Sequence, residues 1–250
     1  AAYTMIDRWL IQEYIGSSGQ AYFAISIQFS TITILLTSSL VNIFRKEISE
    51  SIAAQNWPKV ISYFQLVSKN IFLITCIICS ILFIYSDNVL HFIYGDAFAD
   101  ASLIFKLIML LPITKSIGTV YVSFLYASSK TKISAYISYL LLPSSILLSV
   151  ILISDFGLNL DIYAMGIKLL ITEVIYIILL EYFICKYLMI KRQYLFKLFV
   201  FILFILIAFI LRLTLYSIGL DFTSHILLVS ILYILPISLY LLINFKKQLQ

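Results

Sequence analysis

The sequence predicts an all-α, polytopic transmembrane helix bundle of about seven full spans plus one partial span. Three observations predict it. Of the 250 residues, 62% are hydrophobic and 12% charged, with a mean hydropathy of +1.06; a soluble domain is roughly 45–50% apolar and ~25% charged. Apolar runs of about 20 residues recur, each long enough to cross a hydrocarbon core. The charges between those runs alternate in sign along the chain. Together these exclude a soluble enzyme, a disordered tail and a secreted disulfide scaffold.

The chain opens at Ala1-Ala2-Tyr3-Thr4-Met5-Ile6-Asp7-Arg8 without a signal peptide. This reads as the end of a span already under way, so the sequence is expected to be a fragment of a longer protein. The partial span ends near Tyr14. Full spans follow at about 20–44, 66–86, 103–126, 133–154, 162–184, 198–218 and 224–243. The connections are mostly short, as antiparallel neighbours require. In the longest basic connection, 45–64, the apolar residues Ile48, Ile52, Val60, Ile61 and Phe64 are interrupted by Glu47, Glu50, Gln55 and Lys59. It reads either as a short amphipathic helix broken near Pro58 or as a plain solvated connector. Pro112, Pro143 and Pro236 lie inside spans and are expected to kink them.

Connection charges test the count. Arg45, Lys46, Lys59 and Lys69 follow the first full span; Asp87, Asp96 and Asp100 follow the second. Next come Lys130 and Lys132, then Asp155 and Asp161, then Lys186, Lys191, Arg192 and Lys197, then Asp221, then Lys246 and Lys247. A miscounted helix breaks this alternation. Lys and Arg mark cytoplasmic loops, so the basic side and the C-terminus are expected in the cytoplasm. The net charge of +5 therefore reads as topology rather than as nucleic-acid binding.

Ionisable groups inside spans are functional hypotheses by default, because burying them is costly. Lys115 sits midway along 103–126, and Thr119, Ser123 (or Val122) and Tyr126 follow it on one helical face. The stripe suits a water-filled cavity or an anionic ligand; the alternative is a lysine paired with a carboxylate. Lys168 and Glu173 are five residues apart and do not share a face, so each is free to pair with another helix. Glu173 is a candidate coupling group, and Glu181, near the cytoplasmic end, is expected to reach water. Tyr22, Ser26, Ser30, Thr33 and Thr37 form a second polar stripe. It either lines an aqueous pathway or packs helices together, as small hydroxyl residues do in membranes. Asp7 and Arg8, with Glu13, form a candidate polar mouth or gate on the outer side. Arg212 is expected to snorkel, and the last two spans to face lipid.

Cys76, Cys79 and Cys185 fall in apolar runs and imply no disulfide framework. Cys76-Ile-Ile-Cys79 lacks the βαβ context of a redox motif, and His91 and His225 are isolated. No Walker A, H-E-x-x-H or G-x-S-x-G motif occurs. No enzyme activity, metal or cofactor is expected.

Ile6-Asp7-Arg8-Trp9-Leu10-Ile11, Ile15-Gly16 and Ala21-Tyr22-Phe23-Ala24 resemble the midpoint of Wzx-type polysaccharide (O-antigen) flippases, within the multidrug/oligosaccharidyl-lipid/polysaccharide exporter superfamily. Ile93-Tyr94-Gly95-Asp96-Ala97-Phe98-Ala99-Asp100-Ala101 resembles a short outer loop of that family, and Tyr126-Ala127-Ser128-Ser129-Lys130-Thr131-Lys132 its inner turn. The sequence departs from the family near Gly157 and Gly166, which are widely separated where many members carry a Gly-rich turn.

The resemblance implies the second half of a two-bundle transporter. Residues 1–185 would be the second bundle with its cavity-lining helices. Residues 186–250 would be two additional peripheral helices and a cytoplasmic C-terminus. It further implies a bacterial inner-membrane protein that moves an undecaprenyl-pyrophosphate-linked oligosaccharide, an O-antigen or capsule repeat unit, from the inner to the outer leaflet. Its partners would be that lipid-linked oligosaccharide, membrane lipids, a polysaccharide polymerase and a chain-length regulator. Lys115 and Lys168 would meet the pyrophosphate and the hydroxyl stripes the sugars. The alternatives are a multidrug or cation exporter of the same superfamily and a membrane O-antigen polymerase.

Overall fold

A computed structural model describes residues 2–154, 156–192 and 194–217. The expectations for the 224–243 span, Pro236, His225 and the final lysines fall outside these residues, as does that for the Arg212 side chain. Among the described residues every regular element is helical. Nine α-helices follow one another: α1 (Ala2–Tyr14), α2 (Ser17–Ala53), α3 (Trp57–Ile84), α4 (Ser86–Tyr94), α5 (Ser102–Ile108), α6 (Leu111–Ala127), α7 (Thr131–Ile153), α8 (Tyr163–Leu188) and α9 (Tyr194–Ser217). A 3₁₀ turn, Asp96–Ala101, joins α4 to α5.

Among the described residues four stretches are long and apolar enough to cross a membrane: Ser17–Ala53, Trp57–Ile84, Asp96–Ala127 and Thr131–Ile153. α6 is the hub, packed against α2, α3, α7 and α8; α1 lies on α7 and α2, and α9 on α3. Among the described residues the buried apolar side chains form three clusters, the smallest being Ile77, Ile84, Tyr85 and Ala208; the other two are larger. One holds Leu10, Ile11, Ile104, Phe105, Ile108 and Met165; the other holds Val41, Phe44, Phe64, Val120, Tyr121, Phe124 and Leu180.

Two sequence expectations need correction. The 45–64 connection is not a separate element, because both flanking spans run into it as helix. At 37 residues and 1.5 Å per residue, α2 is about 55 Å long, well beyond a ~30 Å hydrocarbon core. Its end buries Ile48, and the start of α3 buries Val60 and Phe64. The break falls at 54–56, with Asn56 capping α3 by accepting from the Lys59 N–H and Pro58 in the first turn. There proline's missing donor costs nothing.

The second concerns the 103–126 span, expected to kink at Pro112: within the Asp96–Ala127 stretch the helix breaks earlier, at Met109 and Leu110. α5 stops at Ile108, and Pro112 opens α6 instead of bending it. A proline within continuous helix would clash with the carbonyl four residues earlier, here that of Ile108. Pro143, by contrast, does lie inside α7.

The three basic turns meet at one end of the bundle. The Trp57 ring at the start of α3 packs edge-on against Tyr187 of α8, 5.9 Å between centroids. Lys130, in the turn between α6 and α7, sits 3.9 Å over the same Tyr187 ring. At the other end Tyr22 of α2 packs against Phe98 of the 3₁₀ turn.

Candidate functional site

Three charged side chains on α8, at successive depths, reach neighbouring helices: Lys168 reaches α1, and Glu173 and Glu181 reach α6. Lys168 is fully buried and donates to both carboxylate oxygens of Asp7 on α1, each at 2.7 Å. Ser149 of α7 completes the cluster, donating to Asp7 Oδ1 at 3.4 Å. Asp7 is thus turned away from its neighbours Arg8 and Glu13, which are both exposed. The three do not assemble into one polar mouth.

Five residues further along, and therefore about 140° around the helix, Glu173 meets Lys115 of α6 with 3.9 Å between Oε1 and Nζ. Both remain partly open, with side-chain exposures of 26% for Glu173 and 36% for Lys115. Glu181, expected to reach water, is instead buried. It lies within hydrogen-bonding reach of Tyr121, whose hydroxyl accepts from Lys197 Nζ at 2.7 Å; Lys197 also donates to Ser68 at 3.2 Å. Glu181, Tyr121 and Lys197 of α9 line one small pocket, a tertiary contact that distance from the span centre does not reveal.

Beside Glu173 the facing sides of α7 and α8 leave a groove of about 370 Å³, lined by Ser138, Leu141, Leu142, Ser145, Thr172, Glu173 and Tyr176. The i, i+4, i+7 spacing of Ser138, Leu142 and Ser145 sets them along one face of α7, and Thr172, Glu173 and Tyr176 project from adjacent turns of α8. Thr172 Oγ1 bonds Ser145 Oγ at 3.3 Å across the groove. One charged group, four hydroxyls and two leucines give a wall able to hydrogen-bond a polar ligand and hold an apolar one. Of the residues singled out in the sequence, Glu173 lines this groove and Lys115 reaches it through the ion pair.

The α2 stripe runs elsewhere. Ser26, Ser30, Thr33 and Thr37 are buried, and Thr37 Oγ1 lies 3.1 Å from Ser116 Oγ of α6. Ser26 and Thr33 donate to the carbonyls of Tyr22 and Phe29 one turn back. Thr37 thus sits in the α2–α6 contact, where small polar side chains let two helices approach. On α6, Thr119 donates to the Lys115 carbonyl at 2.8 Å, Ser123 is buried and Tyr126 is exposed.

Sequence reading missed Arg45. Its guanidinium donates to Ser123 Oγ at 3.2 Å and lies 5.5 Å over the Tyr126 ring. It thus caps the basic end of the stripe that Lys115 begins, about 12 Å away at helical rise. Continuing the α2 spacing from Thr37 by two steps of four gives Val41 and Arg45, so the signal was present; it was counted only as a loop charge. The α7 hydroxyls Ser138, Ser145 and Ser149 carry no charge to mark them in an apolar run, and only packing against α8 and α1 brings them to a site.

Among the described residues no group of three or more His, Cys, Asp or Glu is placed to hold a metal ion. Cys76, Cys79 and Cys185 are buried free thiols, and His91 lies 3.1 Å from Asp96 at the surface. No protein-family model, curated protein or solved structure matches the chain. What the apolar helices and the groove define is the class: an all-helical, membrane-embedded bundle with a polar groove between two of its helices.

Proposed function

We propose that this chain is the second bundle of a flippase that carries an undecaprenyl-pyrophosphate-linked oligosaccharide from the inner to the outer leaflet of a bacterial inner membrane. The observation that carries the reading is the Lys115–Glu173 pair at the edge of a hydroxyl-lined groove within a helical bundle. A lysine at that depth offers charge to a pyrophosphate. Ser138, Ser145, Thr172 and Tyr176 offer hydrogen bonds to sugar hydroxyls, and Leu141 and Leu142 offer an apolar wall to a polyprenyl chain. The resemblance of 1–185 to the flippase family supports the same substrate. In this reading the bundle has about seven full spans and one partial, faces a first bundle across a central cavity, and works by alternating access as one bundle rocks against the other. The basic end lies in the cytoplasm, and a polymerase and a chain-length regulator receive the product.

The test is translocation of a labelled undecaprenyl-pyrophosphate oligosaccharide in inverted vesicles, with the complete protein and this 250-residue segment side by side. Transport by the complete protein alone is expected. Transport by neither, with the folded complete protein and its native glycan supplied, moves the function to a cation exporter of the same superfamily or to a polymerase.

A further inference from the structure

The two lysine–carboxylate pairs on α8 differ in kind. Lys168 and Asp7 are sealed from solvent and touch through both oxygens at 2.7 Å, the separation of a full charge-assisted hydrogen bond. Lys115 and Glu173 stand 3.9 Å apart, a third exposed, beside an open groove. At that separation they attract by charge but do not share a hydrogen bond. One pair is a fixed joint and the other is positioned to change partners.

We propose that the groove between α7 and α8 is an anion site in which a ligand phosphate takes Lys115 from Glu173, and Glu173 takes up one proton as it loses that partner. The groups facing Glu173 support the exchange. From α6 it meets Lys115. From α7 it meets Ser138 and Ser145, and on α8 Thr172 and Tyr176; all four are neutral hydroxyl groups. The other lysine on α8, Lys168, is committed to Asp7, and Lys106 of the neighbouring α5 is committed to Asp87 at 3.0 Å. No second cation among these residues is free to replace Lys115. A carboxylate left unpaired against Leu141 and Leu142 is costly, and protonation removes the charge. The proton comes from water and no covalent bond changes. The hydroxyls stay in place to bond the phosphate oxygens or the sugar beyond them.

The sign follows from linkage. Where the free protein holds Glu173 ionised and the complex holds it protonated, binding takes up one proton, so affinity rises up to tenfold for each pH unit of acidification. Outside that window the affinity is flat. The anion's identity, a disubstituted diphosphate, rests on the flippase reading; the exchange itself rests only on the pair and the groove.

The experiment is calorimetric titration of the full-length protein in lipid nanodiscs, in two buffers of different ionisation enthalpy so that protons are counted. Two probes are used: sulfate, and a diphosphate diester carrying a short prenyl chain and one sugar. Neither probe ionises between mildly acidic and mildly basic pH. Wild type is expected to take up close to one proton per anion in the linked window. Glu173→Gln is expected to bind with no proton uptake and no pH dependence, at least as tightly as wild type in acid. Lys115→Ala should weaken binding tenfold or more, and Lys115→Arg should retain it. Binding by wild type without proton uptake at any pH overturns the exchange, and so does uptake that persists in Glu173→Gln. Sulfate binding with uptake but no diester binding keeps the exchange and removes the flippase substrate. Diester binding and flipping without proton linkage does the reverse. Failure of both probes to bind overturns the anion site.

Discussion

Asp7 and Lys168 form a contact that neither residue's own helix explains. The two are 161 positions apart, and the pair seals α1 and α8 together beside Ser149 of α7. Removing one partner from such a buried pair leaves an uncompensated charge and costs about 3–5 kcal/mol, whereas replacing both with apolar residues of similar volume is often neutral. The expected outcome is a sharp loss of thermal stability in Asp7→Leu and in Lys168→Met, with most of it restored in the double variant. Unfolding of the detergent-solubilised protein, read as a double-mutant cycle, checks this. Additive losses in the double variant would instead mean that each residue acts through separate contacts. The ion pair's existence was half visible in sequence: two charges in apolar runs demand partners, but spacing along one chain does not say which.

At the scale of the element, the break between α5 and α6 and the close approach of α5 to α8 belong together. Because α5 ends before Pro112, it leans on α8 independently of α6, and it does so at Gly166. A methyl group added there would lie 3.0 Å from both Ile104 Cδ1 and Leu107 Cβ. Gly166→Ala is expected to be tolerated with a small loss as these side chains give way. Gly166→Leu should push α5 off α8 and destabilise the fold by about 1–3 kcal/mol, the usual cost of overpacking. Size-exclusion profiles and melting of the two variants read the difference; a Leu variant as stable as wild type would show that α5 is not packed as described. Gly16 serves differently: its φ of +96° lies where side chains are disfavoured, and it turns the chain from α1 into α2.

For the whole molecule, charge predicts an orientation, and packing gathers the basic turns at one end. Trp57, Lys130 and Tyr187 bring three basic turns to one end, as the alternation of connection charges requires. With that end in the cytoplasm, a cysteine replacing Lys132 should react with a membrane-impermeant maleimide only after the cells are permeabilised. One replacing Asp100, exposed at the other end, should react in intact cells. The opposite pattern would invert the bundle. The native thiols are buried and should contribute little background.

Local sequence signals sufficed for the helical class, for helices near 133–154, 162–184 and 198–218, and for the grouping of turns into two ends; they did not show that α2 runs on to Ala53 or that α3 begins at Trp57. The class, these helices and the two ends follow from local quantities: apolar run length against bilayer thickness, and the sign of charge at each connection. The pattern also marked Lys115, Lys168 and Glu173 as costly residues needing a reason, and placed Asp7 in a polar mouth with Arg8 and Glu13. Only the tertiary structure decided which reason applied. It sealed Lys168 onto Asp7, left Lys115 and Glu173 loosely matched at a groove, buried Glu181 beside Tyr121 and Lys197, and set Thr37 of the α2 stripe against Ser116 of α6. A helical face looks the same in sequence whether it lines a cavity or meets another helix. What separates the two is the arrangement of neighbours far along the chain, and that is set by packing of the whole bundle.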